Sequence, residues 1–213
     1  LDAVWVNDPD RDAAASRKMW QLKLAAELGL RVPRTCMTNS PERAARFLAE
    51  EPGDVVYKAF SATPETWRET RVVSATERAQ LDQVRLAPLI FQEAIQGGRD
   101  LRVTIVGERL FPAQIVGPSG GYEYDFRLHT AESSISPVTL PDAVSERLLA
   151  LMRRLGLRYG AVDLRRAPDG DYVFLEINPA GQWLFVEYAT DQPISAALAG
   201  LLSDLDQQRL RAA

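Results

Sequence analysis

The chain has 213 residues, of which 46% are hydrophobic and 25% are charged, so it can bury a full core as one large domain or two small ones. Its formal net charge of -4 provides no basic field to hold nucleic acid or an acidic membrane, so we expect neither partner. The single cysteine, Cys36, excludes an internal disulfide framework. With only one histidine, His129, in addition to this cysteine, a Cys/His zinc site is disfavoured. Without a long apolar run or a signal-peptide layout, the sequence predicts a cytoplasmic protein.

The first third of the chain predicts two helices, a strand and a loop. Apolar residues recur every four positions in residues 16–30, SRKMWQLKLAAELGL, which predicts a helix that ends at Gly29. Ser40 can cap a second helix within NSPERAARFL, where Pro41 suits the first helical position. The segment DVVYKAF then predicts a strand. Residues 61–71 are polar and have no clear period, so we expect a mobile loop.

The rest of the chain predicts antiparallel strands around one long helix. PLIFQEAI is a strand, and residues 101–116 form two strands that fold back around Gly107. Residues 142–155, DAVSERLLALMRRL, form an amphipathic helix that ends at Gly156. GAVDLRRA and YVFLEIN add two strands, one on either side of the turn residues PDGD. This order of elements predicts an α+β fold with antiparallel strand pairs and helices on one face.

The last predicted hairpin carries two acidic residues that face each other. If Asp169 and Gly170 form its two-residue turn, Asp163 lies directly opposite Glu176, and Asn178 follows on the same face. Opposed like charges destabilise a sheet, and a bound divalent cation removes the conflict. Two carboxylates and an amide oxygen are hard ligands that suit Mg²⁺. The alternative is a solvated face on which both acids point to water.

The same residues resemble the metal-binding end of the ATP-grasp ligases, in which an Asp on one strand precedes Glu-x-Asn on the next. GAVDL and FLEINPAG match that pattern. The helix that delivers a first nucleotide-binding lysine resembles RKMWQLKLAAELGLRVPRT, in which that lysine is Lys18. The strand that delivers a second one resembles VVYKAF, in which it is Lys58. LIFQEAIQGGRDLRVTIVGERLF resembles the adenine hinge and the Asp-x-Arg segment after it. The resemblance implies an ATP-grasp fold, in which two α+β subdomains grip the nucleotide between them.

This resemblance also implies how the chain is divided. Residues 1–33 would be an entry segment with the first helix, residues 34–95 a small lid subdomain, and residues 96–213 a C-terminal catalytic subdomain with the Mg²⁺ site. Family members normally carry a further N-terminal domain, which we expect to be absent from this chain.

Within that superfamily, the chain is most similar to the microviridin-type ligases, the graspetide synthetases, in the segments WVNDP, DLRVTIVG, DFR and FLEINPAGQWLFVE. The resemblance implies that ATP is used to join Glu or Asp side chains of a ribosomal precursor peptide to Thr, Ser or Lys side chains. The partner would be a precursor peptide with a leader and a core, and a homodimer stays open. Two alternatives also stay open, namely another ATP-grasp ligase that adds an amino acid to a protein or peptide, and a non-catalytic nucleotide-binding regulatory module.

The resemblance implies site residues that suit acyl phosphate formation, a reaction that depends on positioning and charge neutralisation. Residues expected to bind ATP are Lys18, Lys58, Gln92, Glu93, Ala94, Ile95 and Asp100. Arg102 and Arg127 would hold the transferred phosphate and the acyl phosphate, because planar guanidinium groups suit phosphate oxygens. Each of these residues also has a structural alternative. The lysines could be solvated ends of a helix or strand, and residues 92–95 could be an ordinary strand end. Asp100 could be a loop carboxylate or a partner of Arg102, and the arginines could be surface residues.

Overall fold

The computed structural model describes residues 3–60, 70–118, 124 and 132–212. Its helices and strands follow the order α1 (Pro9–Ala15), α2 (Lys18–Glu27), β1 (Thr35–Thr38), α3 (Pro41–Glu50), β2 (Val55–Ala59), β3 (Arg71–Val72), α4 (Ala75–Ala79), a 3-10 helix (Leu81–Leu86), β4 (Leu89–Glu93), β5 (Arg99–Val106), β6 (Arg109–Val116), β7 (Ser134–Pro137), α5 (Asp142–Leu155), β8 (Tyr159–Arg166), β9 (Tyr172–Asn178), α6 (Leu184–Thr190) and α7 (Ile194–Ala212). The predicted α+β class is confirmed, because helices alternate with strands that pair antiparallel.

The chain divides into two compact units. The larger unit contains Leu1–Val32, Gly98–Val116 and Ser134–Ala213, and the smaller unit contains Pro33–Gly97 and Gly117–Ser133. Each unit has its own sheet and its own apolar core.

The smaller unit is built on a four-stranded antiparallel sheet in the order β1-β4-β2-β3. Helix α3 begins as predicted, since the Ser40 hydroxyl accepts a hydrogen bond from the Arg43 amide at 3.2 Å. The buried apolar residues of this unit are Ala44, Phe47, Leu48, Val55, Val73, Val84 and Phe91. The core thus lies between α3, the 3-10 helix and one face of the sheet.

The larger unit is built on a five-stranded antiparallel sheet in the order β7-β6-β5-β8-β9. The predicted hairpin around Gly107 is confirmed, because Val106 pairs with Arg109 across a two-residue turn in which Gly107 has a φ of 60°. Helices α2 and α5 cover one face of this sheet and bury residues such as Leu24, Leu148 and Phe174 with it.

Helices also cover the second face of this sheet, which the sequence did not predict. Helices α6 and α7 bury Val186 and Ile194 against Val106, Phe111 and Tyr159 at one end of this face. Side chains of a strand alternate between faces, so the second face continues toward residues 102 and 100 of β5. That end is polar, and its charged residues are Asp100, Arg102, Asp163, Arg165 and Glu176.

The hairpin of β8 and β9 corrects the predicted two-residue turn. Ala167 donates from its amide to the Asp171 carbonyl at 2.8 Å, and Gly170 donates to the Ala167 carbonyl at 2.9 Å, so the loop has three residues. Pro168 explains the difference, because the residue that flanks a two-residue turn must donate an N–H and proline has none. Gly170 closes the loop with a φ of 92°, a conformation that glycine favours.

A β-bulge restores the predicted pairing farther along this hairpin. Leu164 pairs with Phe174 and Asp163 pairs with Glu176, so Leu175 is an extra residue on β9. The prediction that Asp163 lies opposite Glu176 is confirmed, although the turn from which it was counted was wrong.

Several elements lie outside the predicted set. The prediction omitted α1, β1, β3, α4, the 3-10 helix, β7, α6 and α7. Arg71 belongs to β3 rather than to the predicted loop, and residues 61–69 of that loop lie outside the described residues. Within the part of the chain that the structure describes, no helix is long and apolar enough to cross a membrane.

Candidate functional site

Four charged side chains form a row across the polar end of the larger sheet. Arg102 on β5 donates from Nη1 to Asp163 Oδ1 on β8 at 2.8 Å. Asp163 faces Glu176 on β9, and Glu176 Oε2 contacts Nζ of Lys18, the first residue of α2. The row therefore runs cation, carboxylate, carboxylate, cation. Three of these residues come from separate strands and the fourth from a helix, and we call them the charged row.

The charged row is largely shielded from water. The Arg102 and Asp163 side chains are 8% and 14% exposed, and those of Lys18 and Glu176 are 25% and 24% exposed. Charges interact more strongly in such a setting than in bulk water. Arg102 also donates from Nη2 to the Gln182 carbonyl at 3.3 Å, and its buried Nε has no hydrogen-bond partner among the described residues. The guanidinium is thereby fixed at the sheet by two partners.

The predicted metal ligands are brought together at one end of β8 and β9. Because Arg102 and Lys18 each neutralise one of the opposed carboxylates, the apposition of Asp163 and Glu176 does not by itself require a metal. Asn178 is exposed, and its Oδ1 accepts a hydrogen bond from the Ala180 amide at 2.9 Å.

The donor set nevertheless fits Mg²⁺, which is commonly held by one or two carboxylates together with waters and substrate phosphates. Among the described residues no three His, Cys, Asp or Glu side chains lie close enough to form a metal cluster. Among the described residues, the amide oxygen of Asn178 is a further candidate ligand, and water and phosphate commonly complete the Mg²⁺ shell.

Asp100 lies beside the charged row and contacts an arginine that the sequence did not single out. Arg165 donates from Nη1 to Asp100 Oδ1 at 2.8 Å, and its side chain is only 4% exposed. Gly98 permits this position, because a Cβ there would lie 2.7 Å from Arg165 Nε. Since Asp100 pairs with Arg165 in the β5–β8 ladder, the sheet register itself brings the two side chains together.

In the smaller unit, two of the predicted ATP ligands contact each other. Lys58 on β2 donates from Nζ to Gln92 Oε1 at 3.1 Å, and Gln92 donates from Nε2 to Thr35 Oγ1 at 2.9 Å. Gln92 is buried in the central strand β4, between β1 and β2. The sheet therefore fixes the Gln92 amide, which in turn orients the Lys58 ammonium. The sequence did not point to Thr35.

The predicted adenine hinge extends from the end of β4. Glu93 donates from its amide to the Arg34 carbonyl at 2.9 Å and accepts the Arg34 amide at Oε2, at 3.1 Å. Ala94 donates to the Asp54 carbonyl at 2.9 Å. These two N–H groups are therefore bonded to the residues that directly precede β1 and β2. Ile95, the last residue of the predicted hinge, is buried. Arg127 lies outside the described residues.

No protein-family model and no curated protein matches the chain. Among solved structures it is similar to the macrocyclase MdnC of Microcystis aeruginosa MRC, bound with precursor peptide MdnA, at 35% identity and a TM-score of 0.83, over 93% of this chain and 64% of that one. It is also similar to a RiPP-associated ATP-grasp ligase of Chryseobacterium gregarium in complex with ADP and a leader and core peptide, at 31% identity and a TM-score of 0.84, over 96% and 64%. The chain has the ATP-grasp fold.

A third similar structure of this ATP-grasp fold is the ligase PsnB complexed with minimal precursor, Mg and ADP, with 31% identity, a TM-score of 0.75 and coverage of 92% and 62%. The predicted resemblance to ATP-grasp ligases of the graspetide type is confirmed. The chain spans a little under two thirds of the length of these relatives. A D-Ala:D-Ser ligase, VanG of Enterococcus faecalis, matches at 16% identity and a TM-score of 0.63, which shows the fold alone.

The loop after β9 contacts the charged row at Arg102, and the residues that fix this loop were not revealed by the sequence. The Tyr159 hydroxyl donates to the Gly181 carbonyl, and Asn7 donates from Nδ2 to the carbonyls of Tyr159 and Pro179 at 2.8 and 3.0 Å. Asn7 Oδ1 also accepts the Tyr159 amide at 3.0 Å. One asparagine therefore joins the start of β8 to the loop that contacts Arg102.

Gly181 should not tolerate a side chain. A Cβ at this position would lie 2.5 Å from the Ala161 Cβ and 2.7 Å from Arg102 Nη2, so Gly181→Ala should lower the free energy of unfolding by roughly 1–3 kcal/mol. Gly200→Ala is the matched control, because Gly200 lies within α7 with open space around it and should gain roughly 0.5–1 kcal/mol. Urea denaturation of both variants tests this, and equal effects would contradict the close approach.

Tyr159 should make stability depend on pH in the alkaline range. Burial raises the pKa of its phenol to about 12, although the Arg102 guanidinium acts in the opposite direction. The unfolded chain then releases this proton at lower pH than the folded chain, so the folded state loses stability as pH rises from about 10 to about 12. We expect a loss of about 2 kcal/mol by pH 12, which Tyr159→Phe should remove. Denaturation measured at several pH values, with and without this substitution, gives the difference.

Proposed function

We propose that this chain is the ATP-dependent ligase part of an enzyme that forms side-chain esters or amides within a ribosomal precursor peptide. The observation that carries this proposal is the 35% identity and TM-score of 0.83 to a macrocyclase bound with its precursor peptide. The charged row supports it, because phosphoryl transfer depends on cations and carboxylates that are positioned before the reaction.

The proposed reaction has two steps. A peptide carboxylate attacks the γ-phosphorus of ATP, ADP leaves, and an acyl phosphate forms. A hydroxyl or amine of the same peptide then attacks the acyl carbon, phosphate leaves, and the proton of the attacking group is released. No protein nucleophile is required, so catalysis depends on positioning and on neutralisation of charge.

Residues of the larger unit would supply the charge for this chemistry. Arg102 is held by Asp163 with its fork at the polar end of the sheet, which suits the oxygens of a transferred phosphate. Lys18 is proposed to neutralise a phosphate of ATP. Asp163, Glu176 and Asn178 would hold Mg²⁺, which when bound neutralises phosphate oxygens.

The remaining predicted ATP ligands keep their proposed roles. Lys58 would neutralise phosphate oxygens, and its contact with Gln92 supports a fixed direction for the ammonium. Residues 92–95 would contact adenine, and Asp100 would contact ribose. Arg127 is proposed for the acyl phosphate on the family resemblance alone.

We also propose a domain division, a location in the cell and an oligomeric state. We propose that residues 1–33, 34–95 and 96–213 are an entry segment, a lid subdomain and a catalytic subdomain. The protein would work in the cytoplasm, where ATP is supplied, on a precursor with leader and core. A homodimer is testable by light scattering.

Mass spectrometry tests the proposed activity. The chain is incubated with Mg²⁺, ATP, free amino acids and a synthetic precursor such as the MdnA peptide, and each crosslink removes one water from the peptide mass. ADP release that depends on the peptide, together with this mass loss, is the expected result. ADP release that leads to addition of a free amino acid would favour the alternative ligase. ATP binding without any ADP release would favour the regulatory module.

A further inference from the structure

Gln21 is a buried polar residue in the helix that carries Lys18. The residue is 2% exposed, and its side-chain amide makes three hydrogen bonds. Nε2 donates to the Ala15 carbonyl at 2.6 Å and to the Ile177 carbonyl at 2.8 Å, while Oε1 accepts the Ile177 amide at 3.0 Å. Both donors and the acceptor of this glutamine are therefore used.

These bonds close the outer edge of the larger sheet. Strand β9 is the last strand in the order β7-β6-β5-β8-β9, so its outer N–H and C=O groups need partners other than a strand. Gln21 provides both partners for the Ile177 peptide, and the Arg31 carbonyl accepts the Phe174 amide at 2.8 Å. The glutamine side chain thus imitates a neighbouring strand at one residue.

The same contact fixes the register between α2 and β9. Lys18 lies three residues before Gln21, and residues at this spacing share one face of a helix. Lys18 contacts Glu176, and Gln21 contacts Ile177, so neighbouring residues of β9 are bound by neighbouring turns of α2. The helix begins at Lys18, and its N-cap, Arg17, makes no side-chain capping bond. The first turn therefore lacks a side-chain cap, and the hydrogen bonds of Gln21 attach it directly to the edge strand.

We propose that Gln21 is a positioning residue, which sets the Lys18 ammonium beside Glu176 by binding the backbone of Ile177. The inference rests on the proposed role of Lys18 in nucleotide binding. Gln21 does not touch the nucleotide in this proposal, so any effect of its loss on affinity should pass through Lys18.

A double-mutant cycle tests this dependence. The probe is AMPPNP with Mg²⁺, titrated by calorimetry into the wild-type chain, Gln21→Met, Lys18→Met and the double variant. We expect Lys18→Met to weaken binding about tenfold and Gln21→Met about fivefold, while the double variant stays within about twofold of Lys18→Met. Gln208→Met is the matched control, because it makes the same change at an exposed position of α7 and should bind like wild type.

A second measurement examines the attachment itself. Hydrogen exchange at the Ile177 amide should be faster in Gln21→Met, whereas exchange at the Phe174 amide should be unchanged because its bond to Arg31 persists. If Gln21→Met does not fold, the cycle is repeated with Gln21→Glu, which keeps the acceptor for Ile177 but offers no donors for the two carbonyls.

Each result supports or overturns the inference. The inference would be overturned if the two effects add in the double variant. It would also be overturned if Gln21→Met binds AMPPNP normally while Lys18→Met binds it more weakly. Either result would leave the proposed function intact. Normal binding by Lys18→Met would overturn the inference together with the proposed role of Lys18. A wild-type chain that does not bind AMPPNP would overturn the proposed function as well.

Discussion

Arg102→Lys should lower the rate of peptide-dependent ADP release by about a hundredfold, or about 2.7 kcal/mol of transition-state stabilisation. Arg102 has a planar fork that is held by Asp163 and by the Gln182 carbonyl, whereas lysine keeps the charge but cannot span both partners and a phosphate. If Arg102 meets the transferred phosphate, its contact is strongest in the transition state. Affinity for AMPPNP should therefore stay within about threefold of wild type.

Steady-state kinetics and calorimetry measured on the same preparation separate these effects. Arg153→Lys is the matched control, because Arg153 also pairs with a carboxylate, Glu108 at 3.1 Å, but at an exposed surface. Exposed pairs contribute less than about 1 kcal/mol, so the control should be active and stable. If Arg102→Lys turns over normally, the guanidinium has a structural role only, and the assignment to the phosphate is wrong.

Glu176→Gln should lower turnover by at least about tenfold, or about 1.4 kcal/mol. The amide keeps the shape of the side chain but removes the charge that Lys18 contacts and that a metal would need. The Mg²⁺ concentration needed for half-maximal turnover should also rise, since one anionic ligand of the proposed site is lost.

A titration of ADP release with Mg²⁺ measures both quantities, and circular dichroism establishes that the variant is folded. Glu108→Gln provides the comparison, since Glu108 carries an exposed carboxylate away from the charged row. An unchanged Mg²⁺ requirement together with reduced turnover would place Glu176 in the role of a partner for Lys18 and would remove it from the metal site.

Local patterns in the sequence predicted much of the larger unit. Helix α5 has the predicted bounds, because its single apolar stripe is flanked by a left-handed glycine, Gly156. The β5–β6 hairpin follows from alternation and turn chemistry. The opposition of Asp163 and Glu176 also depends on the bulge at Leu175, which the sequence did not reveal. Helix α7 also has an apolar stripe, from Ile194 to Leu201, but exposed leucines on its other side weaken that pattern in the sequence.

The contacts that complete the candidate site could not be predicted in this way. Lys18 and Glu176 are 158 positions apart, and Gln21 and Ile177 are 156 apart, so only the folded chain brings them together. A glutamine three residues after a lysine is a common surface pattern, and nothing local shows that Gln21 is buried. Metal and nucleotide ligands on single elements could be proposed from the family resemblance, whereas their supporting partners depend on packing between elements.

The extra residue Leu175 separates two requirements that one regular strand cannot meet. Phe174 and Ile177 both lie in the same apolar core although they are three positions apart, and a strand without a bulge would send them to opposite faces. The bulge allows both to be buried while Glu176 faces Asp163. One short edge strand thereby serves the apolar core on one face of the sheet and the charged row on the other, which a strictly alternating strand of the same residues could not do.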